Sequence, residues 1–325
     1  MIKKIIHIAD LHIRTIQLHE LYKIQFDRFI EEIREHSVQW TSEGIKWDEI
    51  RIVIAGDIAH QKINISNEQL LLTSWFLNQL TSYGKVIIIP GNHDFLENNT
   101  QRIDSITPIV ELLDNKNITY LKDSGDYLDT DGNVQWVVYS LYQHNVRPEF
   151  TKQEGLLTIG LFHGPIQGLS TDLGFEFEDA YDRLNFVDLD LLLCGDIHKR
   201  QQFILPNGGK AVMVGSMIQQ NFGETVKHHG YGIYDVETDD YTFYDLPNEP
   251  VEKIVEVIKE VPVNVKGETE IITKEIKVVD TEEIDKLKKQ LQDKQEEVNK
   301  LNDALNKFNK ATFMKNSNLN TLYDE

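Results

Sequence analysis

Three short, continuously apolar runs in the first hundred residues constrain this chain more than any other feature. They are "IIHIAD" (5–10), "IRIVIAGD" (50–57) and "KVIIIPGNHD" (85–94), and each closes on an acidic residue. Strands buried on both faces read this way, because neither face meets water and the polar alternation disappears. Helical patterns separate the runs. "LHELYKIQFDRFIEEIREH" sets Leu18, Leu21, Ile24, Phe29, Ile30 and Ile33 near helical spacing. "SNEQLLLTSWFLNQL" opens on Ser66 as an N-cap and ends before Gly84. The order β-α-β-α-β predicts a largely parallel sheet covered by helices.

From about residue 117 the texture changes. "ITYLKDSGDYLDTDGNVQWVVYSL" alternates around Asp131-Gly132, a hairpin turn signal. "LLTIGLFHG" (156–164) and "LDLLLCGDIH" (189–198) read as two more buried strands, and "QFILPNGGKAVMVGS" and "YGIYDVETDDYTFYDLP" as antiparallel hairpins. The expectation for residues 1–250 is therefore a mixed α/β domain, a two-sheet sandwich flanked by helices. After Pro250, residues 251–280 alternate charge with β-branched residues and predict a small β-rich appendage. Residues 281–310 put Ile284, Leu287, Leu291, Val298, Leu301, Leu305 and Phe308 on a heptad seam, with Lys294 as its polar fault. Such a helix needs an apolar face to cover it, from a partner, a second copy in a homodimer, or its own chain. Residues 311–325 read as a polar tail.

Composition bears mainly on partners. The single cysteine, Cys194, excludes an internal disulfide framework and fits a reducing, cytoplasmic setting. No stretch approaches the roughly 20 apolar residues of a membrane helix, and the first ten residues are too short an apolar run for a secretory leader. The 33 Lys and Arg stand against 53 Asp and Glu, a net charge of −20. Residues 251–325 hold 13 basic and 16 acidic residues, so the excess of acid lies before them. A protein that grips nucleic acid unaided shows a basic stripe that displaces counterions from phosphates, and none is visible here. Either the substrate is not a long polyanion, or metal ions or a partner subunit hold it.

The strand ends carry the chemistry. Asp10 and His12 follow the first strand, Asp57 the second, and Asn92, His93 and Asp94 the third. His163 follows a later strand, and Asp196 and His198 follow "LLLCG". Carboxyl ends of parallel strands form one rim, where ligands collect. Residues two apart on a strand face one side, so Asp10 with His12, and Asp196 with His198, are expected to point into one space. Any one histidine after a strand is as well explained as a core or turn residue; five clusters are not. Mixed His, Asp and Asn donors suit a first-row divalent ion such as manganese or iron rather than a thiolate-bound zinc.

D-x-H, G-D, G-N-H-D, H-G and G-x-x-H in this order resemble the calcineurin-like metallophosphoesterases. Within that superfamily the chain looks most like the SbcD-type nuclease subunits of the SbcCD double-strand-break repair complex. "VMVGSMIQQNFGE" and "HHGYGIYDVE" support the narrower match, which covers about residues 3–246. The resemblance implies an α/β/β/α fold and a two-metal phosphodiesterase that cleaves DNA, as an endonuclease or exonuclease, beside a coiled-coil SbcC-type ATPase. It implies that Asp10, His12 and His198 bind one ion, that Asp57 bridges, and that Asn92 and His163 bind the other. Mn²⁺ is favoured, with Mg²⁺ or Fe²⁺ as alternatives. His93 becomes the proton donor to the leaving oxygen and Asp94 the carboxylate that orients it.

The chain departs from the family at one point. The usual G-H-x-H is here Gly195-Asp196-Ile197-His198, so Asp196 stands where a histidine on the second metal is expected. A carboxylate can still bind such an ion and favours harder ones. A small-substrate phosphodiesterase or phosphatase, and a scaffold that has lost catalysis, are the alternatives. His60 and His144 are placed to line a cleft, and the Trp40 and Trp47 segment reads as a connector.

Overall fold

The computed structural model describes residues 1–14, 18–129, 132–143, 147–177, 180–221, 224–248, 254–256 and 276–278. The chain divides into two units, Met1–Val251 and Glu252–Glu325. In the first, two six-stranded sheets carry the fold. One is built from β1 (Lys4–Ile8), β2 (Ile50–Ala55), β3 (Lys85–Ile89), β4 (Ile118–Tyr120), β11 (Gly230–Asp235) and β12 (Asp240–Asp245), in the order β12-β11-β1-β2-β3-β4. The other contains β5 (Gly125–Leu128), β6 (Val134–Tyr139), β7 (Leu157–His163), β8 (Leu191–Gly195), β9 (Gln201–Ile204) and β10 (Lys210–Met213), in the order β5-β6-β7-β8-β10-β9. Each has a parallel centre, β1 to β4 in one and β6, β7, β8 and β10 in the other, with antiparallel strands outside it.

The continuous apolar runs follow from burial on both faces. Along β1, Ile6 and Ile8 pack toward the helices, while Ile5 and, just past the strand, Ala9 pack into the layer between the sheets. Trp136, Leu161 and Leu193 fill that layer from the second sheet. The helices α1 (His19–Ser42), α2 (Asn67–Leu80) and α3 (Thr107–Leu113) cover the outer face of the first sheet, with Phe26 stacked on Phe76 at 3.9 Å. Ser66 caps α2, its hydroxyl accepting from the Gln69 N–H, as its residue type requires. The second sheet's outer face is covered by connecting segments and short 3-10 helices at Leu141–Gln143 and Arg183–Phe186.

Two local expectations change. Ile118–Tyr120 joins the first sheet beside β3, because α3, entered through Pro108, completes another parallel crossover. Trp40 is no connector residue. It lies buried on the last turns of α1, on the stripe of Tyr22, Phe26, Phe29 and Ile33, while Ile24 faces water. α1 runs past His36 to Ser42. Asp131 lies outside the described residues, and β5 and β6 pair as the expected hairpin around it.

In the second unit, β13 (Ile254–Glu256) and β14 (Ile276–Val278) pair antiparallel. The heptad segment 281–310 and the tail 311–325 lie outside the described residues. Among the described residues no helix is long and apolar enough to cross a membrane.

Candidate metal centre

The strand ends converge, but not through the strand pleat. β1 stops at Ile8 and β8 at Gly195, so Asp10, His12 and Asp196 lie beyond their strands. Asp10, His12, Asp57 and Asp196 all have positive φ, at 54°, 45°, 55° and 97°. Left-handed backbone is costly for residues with a Cβ and is stored where the surroundings enforce it. These bends, not the alternation of a strand, aim the side chains at one space. Glycine makes room for them: any side chain at Gly91 would run into the Asp57 carboxylate, and one at Gly56 into the His163 ring.

Asp57 lies at the middle. Its Oδ2 is 3.3 Å from His12 Nε2 and 3.4 Å from His163 Nε2. On the first side, His12 Nε2 is 3.1 Å from His198 Nε2 and 4.0 Å from Asp10 Oδ1. On the other, His163 Nε2 is 3.3 Å from Asn92 Oδ1 and 3.8 Å from Asp196 Oδ1. All seven expected ligands thus meet, in two groups that share one carboxylate. Asp10 is less one-sided than expected, since its carboxylate also clusters with Asp57 and His163.

The donor set fits divalent ions. His163 donates Nδ1–H to the Ala55 carbonyl at 2.7 Å, and His198 donates Nδ1–H to Glu224 Oε1 at 2.6 Å. Both hydrogen bonds leave Nε2 toward the site, as a ligating imidazole requires. Burial pushes the Asp10 carboxyl up to about 7 and also raises Asp196. Burial alone would raise Asp57 too, but the His163 and His12 rings outweigh it and hold Asp57 below the carboxylate range. Burial would lower His163; Asp57, Asp10 and Asp196 overcome it and raise its pKa well above ordinary. Carboxylates packed this closely away from water are a site for positive charge.

His93 lies beside this cluster. Its backbone N–H donates to Asp57 Oδ1 at 2.8 Å, and its Nδ1–H donates to the His60 carbonyl at 2.8 Å. Asp94 does not orient that ring. Its buried carboxylate accepts three backbone N–H groups, from Asp57, Gly91 and Ala59, at 2.8 to 2.9 Å. The polypeptide turns tightly after Gly91, so Asp94 points back under the Asp57 loop while His93 points toward the ligands. Asp94 ties two ligand loops together.

Two residues that sequence reasoning undervalued are in the site. His60 stacks on His93 with ring centroids 5.2 Å apart, and its Nδ1 is 3.4 Å from that of His12. Its position three residues after Asp57 was the available signal. Glu224 follows the Gly-Ser turn after β10 and is buried. It accepts from the Gln220 N–H at 2.7 Å and Asn221 Nδ2 at 2.5 Å besides His198. His144 lies outside the described residues.

The model of the calcineurin-like phosphoesterases matches residues 3–200, which include every expected ligand. The chain belongs to that family. The family is a superfamily of metal-dependent hydrolases whose members typically hold two divalent ions. An uncharacterized protein of Acanthamoeba polyphaga mimivirus, R555, is 35% identical over 244 residues. That alignment covers 71% of this chain but 17% of R555, so the chain spans about a sixth of the relative's length. A solved chain from Staphylococcus aureus, provisionally described as a 5′-nucleotidase and crystallised with alpha-ketoglutarate, is 11% identical. It covers 89% of this chain and 58% of its own length, at a TM-score of 0.39.

Proposed function

We propose that the chain is a two-metal phosphodiesterase and the nuclease subunit of an SbcD-type DNA repair complex. The observation that carries this reading is Asp57 Oδ2, set between the Nε2 atoms of His12 and His163. One carboxylate oxygen facing two donor groups is the arrangement a bridged pair of ions needs. Asp10, His12, Asp57 and His198 would hold one ion, and Asp57, Asn92, His163 and Asp196 the other. The chemistry such a pair supplies is charge neutralisation at the phosphodiester and activation of water at neutral pH.

The chain's own residues do the rest. The His60 carbonyl holds His93 Nδ1–H, so Nε2 is the atom that hands a proton to the departing oxygen. The ring then remains as the neutral Nδ1–H tautomer. The bond from the His93 N–H to Asp57 keeps this ring in register with the bridging carboxylate. Nitrogen and oxygen donors without thiolate favour Mn²⁺, with Mg²⁺ or Fe²⁺ as the alternatives. The net charge of −20 suits a subunit whose SbcC-type ATPase partner holds most of the duplex, with the heptad-patterned segment 281–310 as the point of attachment.

The same charge supports a second reading, a phosphodiesterase or phosphatase for small substrates. Metal-dependent hydrolysis assayed side by side on single-stranded DNA, duplex DNA and bis(p-nitrophenyl) phosphate separates them. The nuclease reading expects DNA to be cleaved with the higher kcat/KM. Hydrolysis confined to the small ester would overturn it.

A further inference from the structure

A cavity of about 400 Å³ opens against the metal centre and shares His198 with it. Two segments wall it. The one after β8 brings Lys199 and Arg200; the one before β11 brings Lys227 and His228. In a chain with 53 acidic residues against 33 basic ones, this concentration of cations beside the candidate ligands stands out.

The acids in the wall are already engaged. Asp245 pairs with Arg200 and lies 3.3 Å from His228 Nδ1, and Asp172 accepts the Thr225 N–H at 3.3 Å. Among the described residues, Lys199 has only the Ser170 hydroxyl, at 3.3 Å, and the exposed Lys227 amine has no ion pair. Two ammonium groups without carboxylates, facing one cavity, are available to an incoming anion. Arg200 braces the floor, bonding to the Tyr244 carbonyl and lying 5.3 Å over the Phe243 ring.

We infer that this cavity receives a second, non-scissile phosphate of the substrate, held by Lys199 and Lys227 while the scissile one lies at the metal centre. The inference rests on the phosphodiesterase reading and narrows it to substrates with more than one phosphate, such as an oligonucleotide. A diester with a single phosphate leaves the cavity unused. Lysine serves here as a point charge, so recognition is of backbone phosphate and not of base sequence.

The test compares the wild-type chain with a Lys199→Ala, Lys227→Ala double variant. Binding of a short fluorescein-labelled oligothymidylate is read by anisotropy in EDTA across a salt series. The variant is expected to bind about fivefold to tenfold more weakly. Its salt slope should be shallower by about one to two. The ratio of kcat/KM on the oligonucleotide to that on bis(p-nitrophenyl) phosphate should fall by a similar factor. Unchanged affinity with an unchanged ratio overturns the inference. If the wild type hydrolyses only the small ester, the nuclease reading fails. The anisotropy comparison then decides for or against the phosphate pocket by itself.

Discussion

His198 donates its Nδ1–H to the Glu224 carboxylate at 2.6 Å, joining a candidate ligand to a loop 26 residues further along the chain. Glu224 is itself fixed by the Gln220 N–H, and Gln220 reaches the Leu11 carbonyl at 3.1 Å between Asp10 and His12. The loop after β10 therefore braces ligands from two strands. Carboxylates that hold a ligating histidine in this way tune metal affinity by about 10- to 100-fold. Glu224→Ala should lose that much affinity at the first ion, measured by calorimetric titration of Mn²⁺. Glu224→Asp should recover part of it. Equal affinity in all three proteins would reduce Glu224 to a loop anchor.

In the proposed mechanism His93 is the proton donor and the two ions have their ligands elsewhere; the His60 carbonyl holds its Nδ1–H and leaves Nε2 for the departing oxygen. His93→Ala should therefore keep both ions while turnover falls by about 10²- to 10⁴-fold. Elemental analysis beside kinetics checks this. A variant that lost its ions would make His93 a ligand.

Asp94 has a structural task. Replacing it by asparagine turns one of its two acceptor oxygens into a donor aimed at backbone N–H groups. Unpartnered buried donors cost about 1–3 kcal/mol each, so Asp94→Asn should lower unfolding free energy by about 2–4 kcal/mol. Urea denaturation measures it. Full stability with lost turnover would instead return Asp94 to the role of orienting His93.

What the sequence made legible follows one rule: each expected ligand lies within about four residues of the end of an apolar run. A strand that must be buried ends at a rim, and polar residues there have few other reasons to cluster. Ser66 and the closing hairpins were legible from local chemistry in the same way. Glu224 was not, because its partner is distant in sequence and no spacing links them. The pleat argument for Asp10 with His12 gave the right neighbours for the wrong reason, since positive φ is set by tertiary packing. Asp94 was misread because adjacency to His93 says nothing about direction in a tight turn.

His7 gives a pH dependence of stability away from the ligands. It is buried with Nδ1 at 2.9 Å from the Tyr241 hydroxyl, while its Nε2 has no hydrogen-bond partner among the described residues. Burial lowers its pKa from 6.5 to about 3. Between these values the unfolded chain takes up a proton and the folded chain does not. The contribution is thus fully present above pH 6.5 and is lost as pH falls toward 3. From pH 7 to pH 5 the loss is about 2 kcal/mol. His7→Gln keeps a polar partner for Tyr241 without titrating. Its stability should fall by that much less than wild type over the same interval in denaturant melts. Parallel losses would show that His7 is charged in the fold.

Asp196 distinguishes a working second site from a relaxed one. Its Oδ1 lies 3.8 Å from His163 Nε2, while its backbone N–H donates to both Asp10 oxygens at 3.0 and 3.1 Å. A substitution can therefore remove the carboxylate and keep the bond that holds the loop. Its φ of 97° favours residues that tolerate left-handed backbone, among them asparagine and histidine. Asp196→Asn should weaken the second ion about tenfold or more and spare the first, because it retains shape but not charge. Activity should drop and recover in part at high Mn²⁺, where mass action refills the site. Asp196→His should hold both ions, with Mn²⁺ favoured further over Mg²⁺ as nitrogen replaces oxygen. Metal titration of the three proteins decides the matter. Two ions in the wild type with unchanged affinity in Asp196→Asn would leave this carboxylate a turn residue. A single ion in the wild type and two in Asp196→His would mean that the exchange of histidine for aspartate had closed the second site.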